Sequence, residues 1–347
     1  MSWNNVKGVS SAKIWTDNPD MTQAYLFANG NHQVKLTAAV SFTLTDATQS
    51  GPTEDEVKTA LSLIDFETGA GISRLNTGDK GQYSYVYLPS MPTVIKAIEA
   101  SDVGSYQYEF DYYVSSDDTI NASYASEKVA LFLSYTSASG SKVEYNTASG
   151  SKSQSYVAVT VYPPKKYDVA GSSSTPVIIH VKDDRLEYSN VVNSGTVSNE
   201  SVASWSLRID DGYFRIKSLQ SSDAQDSLPF ARHAETASGY ENGWSMAETF
   251  FPSENEVDNG RASYSAYLSI TYDDPDDYFF HVNATVHQEA NEIIFIYFKA
   301  DYSNPKNEGF REKEDGTASL TAFDQFGNKF SATVSKTSGG LNITSVI

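Results

Sequence analysis

The chain has 347 residues, 44 acidic against 25 basic side chains for a formal charge of −19, and no cysteine. The charge repels a phosphate backbone and the only basic cluster is Lys165-Lys166, which excludes nucleic-acid binding; the missing thiols exclude disulfides, thiolate metal sites and cysteine nucleophiles. With 23 Tyr and 17 Phe spaced by Ser and Thr, and no Leu-rich helical periodicity, the composition is that of a mainly β protein too long for one ordinary core.

Residues 1–20 are polar around Trp3 and Trp15 and read as an N-terminal arm or edge strand. A first hairpin is expected at QAYLFA, Asn29-Gly30 and the return strand from Val34, because Asn-Gly supplies the positive φ angles of a tight turn. In that return strand Val34, Leu36, Ala38, Val40, Phe42 and Leu44 alternate with Lys35, Thr37, Ala39, Ser41 and Thr43, the pattern of a half-buried strand. Thr53 and Glu56 then stand at capping-box spacing before Val57, Leu61 and Ile64, which predicts one short helix at the open end of a sandwich or crossing between its sheets. Tyr83, Tyr85 and Tyr87 share a face, as do Tyr106, Tyr108, Phe110, Tyr112 and Val114. Between them MPTVIKAIEAS fits strand and helix alike, with strand favoured.

The strongest pattern runs from Val129 to Tyr162. Three alternating segments are separated by two near-copies of one turn, Ser137 to Lys142 and Thr147 to Lys152, and they predict an antiparallel meander ended by Pro163-Pro164. Ser/Thr-rich amphipathic hairpins also line the barrels of pore-forming toxins. Lys142, Glu144, Lys152 and the Pro-Pro stop favour a sandwich instead.

Residues 169–175 are expected to be a linker, between a β-sandwich region at 21–168 (one domain, or two small modules divided near 102) and a larger sandwich at 176–347. The second half, residues 169–347, carries −13 of the −19 charges. Its strands include SWSLRI, SYSAYLSITY, YFFHVNATVH and EIIFIYFKA, the last apolar enough to be buried on both faces; Gln220 to Gly243 is long and polar with little periodicity. The fold class expected is therefore tandem antiparallel β-sandwich or jelly-roll-like domains with one short helix.

Four carboxylates, Asp273, Asp274, Asp276 and Asp277, fall in one strand-to-strand turn. Hard cations such as calcium take oxygen ligands from such loops, although the spacing is not that of an EF-hand and a solvated acidic turn is the plainer reading. No other cofactor is implied. His281 and His287 lie about 20 Å apart along one strand and cannot share an ion, while His32, His180 and His233 are isolated. No G-x-S-x-G nucleophile turn and no phosphate-binding glycine fingerprint occurs, so an enzyme is not expected. Tyr113, Tyr156, Tyr162 and Tyr267 fall opposite their strands' apolar stripes, and Trp244 sits in the segment ENGW, placing all five as candidates for stacking on glycans or for ordinary cross-strand pairs.

Asp324-Gln325-Phe326-Gly327-Asn328-Lys329, between alternating strands, resembles the D-x-x-G-N hairpin of bacterial immunoglobulin-like domains of invasin and intimin type adhesins. VKLTAAVSFTLTDA is similar to the opening strand of such modules, but the Thr53 helix stands where their return hairpin belongs. The resemblance implies a stalk, surface or appendage role with no active site. Together these readings predict a non-enzymatic structural subunit of an extracellular or particle-borne assembly that associates with itself or with other subunits. The alternatives are a secreted lectin, adhesin or β-rich toxin acting on cell-surface glycans, and a polysaccharide-processing enzyme on a β scaffold. The N-terminus lacks the basic and apolar regions of a cleaved signal, and no apolar run is long enough for a membrane helix, so an extracellular location would need another export route.

Overall fold

The computed structural model describes residues 2–17, 20–89, 107–117, 125–169, 175–181, 186–192, 196–211, 213–221, 229–236, 242–250, 261–270, 278–287, 292–303, 317–337 and 340–346. It is mainly β, built from several antiparallel sheets, and divides into two compact units: Met1–Lys165 with Phe326–Asn328, and Lys166–Gln325 with Lys329–Ile347.

In the first unit the strands are β1 (Val6–Thr16), β2 (Gln23–Phe27), β3 (Val34–Leu44), β4 (Leu61–Asp65), β5 (Asn76–Gly78), β6 (Tyr108–Ser115), β7 (Ala125–Thr136), β8 (Lys142–Asn146) and β9 (Val157–Tyr162). One sheet has the order β1-β3-β6-β5; the other has the order β2-β9-β7-β4, with β8 also on β7. Alternation turns Leu36, Ala38 and Val114 of the first sheet toward Leu26, Leu63, Val129, Leu131, Val157 and Val159 of the second, and these residues form one dry cluster. The unit is thus a two-sheet sandwich.

The predicted arm is ordered by this core. A 3-10 turn at Ser2–Asn5 leads into β1, an edge strand paired with β3, and Trp3 stacks on Tyr135 at 4.4 Å and meets Phe42 edge-on at 5.5 Å. The predicted helix is α1 (Glu54–Ala60), but it ends before Leu61 and Ile64, which stand at helical spacing with Val57 yet belong to β4. Glu56 N–H faces Thr53 Oγ1 at 3.4 Å, Thr53 N–H donates to Glu56 Oε2 at 2.8 Å, and the buried Val57 anchors the helix where the chain crosses from β3 in one sheet to β4 in the other. Buried Glu127 clamps the segment before β5 by accepting from Ser73 and Arg74 N–H at 3.0 and 3.1 Å.

Three local expectations are corrected. Asn29-Gly30 does not make a hairpin, because β2 and β3 lie in different sheets and β2 instead pairs in parallel with β9. Tyr83 to Tyr87 form no continuous strand. The meander is not a meander: β8 pairs with Phe132–Thr136 and β9 with Ala125–Val129, so both run end to end along one edge of β7.

Thr147 closes the break between β8 and β9. Its hydroxyl accepts from Leu131 N–H at 3.0 Å and donates to Ser155 O at 2.7 Å, while its backbone bonds Leu131 O and accepts from Ser155 N–H. Ser155 Oγ in turn accepts from Ile14 N–H at 3.0 Å, tying the edge strand β1 to the other sheet. The hydroxyl therefore supplies the partner that the interrupted ladder lacks. Thr147→Val should cost about 1–3 kcal/mol, because a buried Leu131 N–H loses its acceptor. Denaturant unfolding of that variant, with faster hydrogen exchange at Leu131, checks the point.

The second unit contains β10 (Tyr167–Val169), β11 (Thr175–Val181), β12 (Leu186–Val192), β13 (Thr196–Ile209), β14 (Ile216–Ser221), β15 (Pro229–Thr236), β16 (Asn242–Phe250), β17 (Arg261–Ile270), β18 (Tyr278–His287), β19 (Glu292–Ser303), β20 (Thr317–Asp324), β21 (Lys329–Thr337) and β22 (Gly340–Val346). They form sheets β10-β11-β13-β19-β16-β15, β12-β18-β17 and β14-β20-β21-β22. The apolar β19 lies between β13 and β16, antiparallel to both. Val169 and Thr175, the ends of the expected linker, belong to β10 and β11, which pair in parallel. Residues 91–101, which fit strand and helix alike, lie outside the described residues.

Candidate functional site: an aromatic cluster around His32

β2 ends at Phe27, and the chain must turn sharply to enter the other sheet. Asn29 Oδ1 makes the turn by accepting from the N–H groups of Asn31 at 2.9 Å and His32 at 2.7 Å. Gly30 takes φ +73° and donates to Ser116 O. This swings the His32 ring back to Phe27 at the end of β2.

Phe27 N–H donates to His32 Nδ1 at 2.9 Å, so Nδ1 is the bare nitrogen, and Nε2–H donates to Tyr85 O at 2.9 Å. The ring is wholly buried, and burial lowers its pKa to about 4 against the opposing pull of the Tyr85 carbonyl. Aromatic rings enclose it: Phe326 lies 5.0 Å away, Phe27 5.7 Å, and Tyr87 joins them at 4.7 Å from Phe27 and 5.3 Å from Phe326. Toward solvent the cluster continues into the half-buried rings of Tyr162 and Tyr25, whose centroids are 6.0 Å apart.

Asparagines seal the cluster. Asn29 Nδ2 donates to Asn328 Oδ1 at 2.8 Å and to Phe326 O at 3.0 Å, Asn31 Nδ2 donates to Gly327 O, and Lys165 N–H donates to Asn328 Oδ1. Gly327 sits at φ +72°, where an added Cβ would lie 2.5 Å from Asn31 Cβ and 3.1 Å from the Tyr83 ring.

A neutral imidazole with both nitrogens bonded to backbone groups cannot take a substrate proton or ligate a metal without opening the turn. The arrangement holds chain segments together, and the half-buried Tyr25 and Tyr162 form its rim.

The stacking candidates are not brought together. Tyr162 belongs to this cluster. Tyr156 immediately precedes β9, about 20 Å along the chain direction from Tyr162; its ring packs on Phe66 at 4.5 Å and under Lys128 Nζ at 5.3 Å, while that ammonium also binds Glu67 at 2.6 Å. Tyr113 is in the other sheet, opposite Lys35. In the second unit Trp244 lies within β16, not in an irregular segment, opposite Ala234 and Ala300, and Tyr267 of β17 is opposite His281. Asp273, Asp274, Asp276 and Asp277 lie outside the described residues, and among the described residues no cluster of three or more His, Asp or Glu could hold a metal.

Sequence reasoning left His32 as an isolated histidine. The signal available was Asn29, whose short side chain favours the turn that returns His32 to Phe27; the ring partners come from segments far along the chain. In the second unit, buried Tyr167 donates its hydroxyl to the buried carboxylate of Asp324 at 2.7 Å, another pair that spacing conceals.

No family model and no curated protein matches the chain.

Proposed function

We propose that the chain is a non-enzymatic structural subunit of an extracellular or particle-borne assembly, and that its first unit is an immunoglobulin-like module. The observation that carries the reading is strand order. Sheet β1-β3-β6-β5 opposite sheet β9-β7-β4 follows the A-B-E-D and G-F-C arrangement of immunoglobulin sandwiches, with β2 added in parallel to the last strand. In this reading α1 takes the place of the turn between the second and third strands, and a continuous aliphatic core replaces the inter-sheet disulfide that a cysteine-free chain cannot form. Buried polar side chains in this unit, among them Thr147, Glu127 and Asn328, are committed to chain segments, as suits a load-bearing or packing module.

Light scattering and electron microscopy of the native protein at high concentration test the proposal. Defined multimers, fibres or particles are expected; a strictly monomeric protein up to millimolar concentration would overturn it. A second reading, a module that binds cell-surface glycans, draws on the half-buried rings of Tyr25 and Tyr162. A glycan array separates the two, with binding lost in Tyr25→Ala and Tyr162→Ala supporting the second.

A further inference from the structure

We propose that His32 is an acid-sensitive latch: protonation of its buried ring opens the turn from Asn29 to Gln33 together with the cluster of Phe27, Tyr85, Tyr87 and Phe326, as a local and reversible transition of the first unit. The geometry makes the neutral ring obligatory. A proton on Nδ1 would face the N–H of Phe27, which now donates to that nitrogen at 2.9 Å, so donor would meet donor. The second nitrogen already serves Tyr85 O, and the charge would sit among rings, at 5.0 Å from Phe326 and 5.7 Å from Phe27.

The titratable groups on the elements around it are engaged elsewhere. Asp117, which adjoins Gly30, accepts from Asn76 at 3.2 Å, and Lys35, on the strand that follows the turn, pairs with Asp111 at 3.5 Å. Asp79 meets Gln33 through its carbonyl, and Lys165 meets Asn328 through its backbone N–H. Asp324, two residues before Phe326, accepts from Tyr167 at 2.7 Å, and the other titratable neighbours among the described residues are phenols: Tyr25 donates to Gln23, Tyr83 and Tyr85 present carbonyls to Gln33 and His32, and Tyr87 and Tyr162 contribute rings. Among the described residues no carboxylate hydrogen-bonds to the ring to stabilise an imidazolium.

The direction follows from linkage. The closed ring protonates only near pH 4, whereas an opened, solvated ring protonates near 6.5. Closure is therefore complete above pH 6.5, and opening becomes about tenfold easier per pH unit below it. The effect levels off near pH 4 at roughly 300-fold in all. Acid loosens this turn and aromatic cluster before the aliphatic core between the sheets is affected.

Amide hydrogen exchange of the full chain, corrected for intrinsic pH dependence, tests this at Phe27, with Leu131 as the core reference. Protection at Phe27 should fall about tenfold per unit from pH 6 to 4 while Leu131 stays protected, and His32→Gln, which can accept and donate at the same two partners, should remove the pH dependence. An unchanged Phe27 from pH 7 to 4, an equal fall in His32→Gln, or parallel loss at Leu131 would overturn the latch. If His32→Gln fails to fold, the wild-type imidazole titration by NMR decides. A midpoint well below 6.5, accompanied by Phe27 exposure, supports the latch; a midpoint near 6.5 with Phe27 still protected overturns it.

Discussion

Tyr167→Phe should lower the stability of the second unit by about 2–3 kcal/mol, the usual cost of removing a buried hydrogen bond to a charged group. The hydroxyl donates at 2.7 Å to Asp324, and the two residues are only 5% and 0% exposed, so water does not replace the lost donor. For a unit of this size the melting point should drop by roughly 4–12 °C, read by calorimetry as the transition of the second unit. The pair also makes a pH prediction. Burial, followed by the nearby charges of Asp324 and Asp211, pushes the Tyr167 phenol far above its ordinary value of 10. A raised folded pKa gives stability that is complete below pH 10 and declines as the unfolded phenol ionises above it. Wild-type stability should therefore fall more steeply than that of Tyr167→Phe on going from pH 9 to 11. Equal slopes would mean that burial and Asp324 do not hold this phenol neutral above pH 10.

Gly327→Ala should be still more costly to the first unit, at about 2–4 kcal/mol, because a left-handed backbone penalty and an overpacking penalty add. The backbone is at φ +72°, and the new methyl would fall 2.5 Å from Asn31 Cβ, on the turn that carries His32. Gly140 offers the control. It has φ +77° with nothing within 4 Å of an added Cβ, so Gly140→Ala pays the backbone penalty alone, about 1–2 kcal/mol. Hydrogen exchange of Phe27 and Ala28 in the two variants separates the effects: only Gly327→Ala should expose them. If both alanines behave alike, the packing of Phe326–Asn328 against the Asn29–His32 turn is not tight.

The features legible in the sequence were those that local periodicity or local capping determines. The alternation in β7 and β9 marked their buried faces, that in β3 marked the face from Val34 to Phe42 although Thr37 and Ala39 opposite are buried too, and Thr53 with Glu56 placed the helix within one residue of its start. Pairing partners were not legible. Gly140 and Gly150 adopt nearly the same φ, +77° and +82°, in nearly the same Ser-Gly-Ser-Lys sequence, yet one closes a hairpin and the other lies in an excursion between two collinear strands. What separates them is the bond of Thr147 to Leu131 and of Ser155 to Ile14, and a turn residue carries no record of such distant partners. Asn29-Gly30 misled for a related reason: the dipeptide specifies a sharp turn, and the sheet that each flanking strand joins is decided by long-range pairing.

The site shows the same limit. Tyr162 at the end of β9 and Tyr156 just before its start have the same outward alternation, but the first abuts the His32 cluster and the second is covered by Phe66 and Lys128. Exposure of an outward residue depends on which loop folds over it. The His32 environment draws on Phe27, Tyr85, Tyr87, Tyr162 and Phe326, and its asparagine bonds join residues 297 and 299 positions apart. No window of sequence contains that cluster.

The immunoglobulin-like reading stands on β8 and β9 lying end to end along β7, and the cysteine-free chain makes that arrangement directly measurable by paired cysteines. Lys128 and Ala158 are register partners in the β7–β9 pair, whereas a meander folded at the second Ser-Gly turn with the register of the first would bring Lys142 opposite Tyr156. Oxidation should join Lys128→Cys with Ala158→Cys in nearly all molecules and leave Lys142→Cys with Tyr156→Cys reduced. Ready closure of the second pair with failure of the first would contradict the strand order, and the proposed module with it.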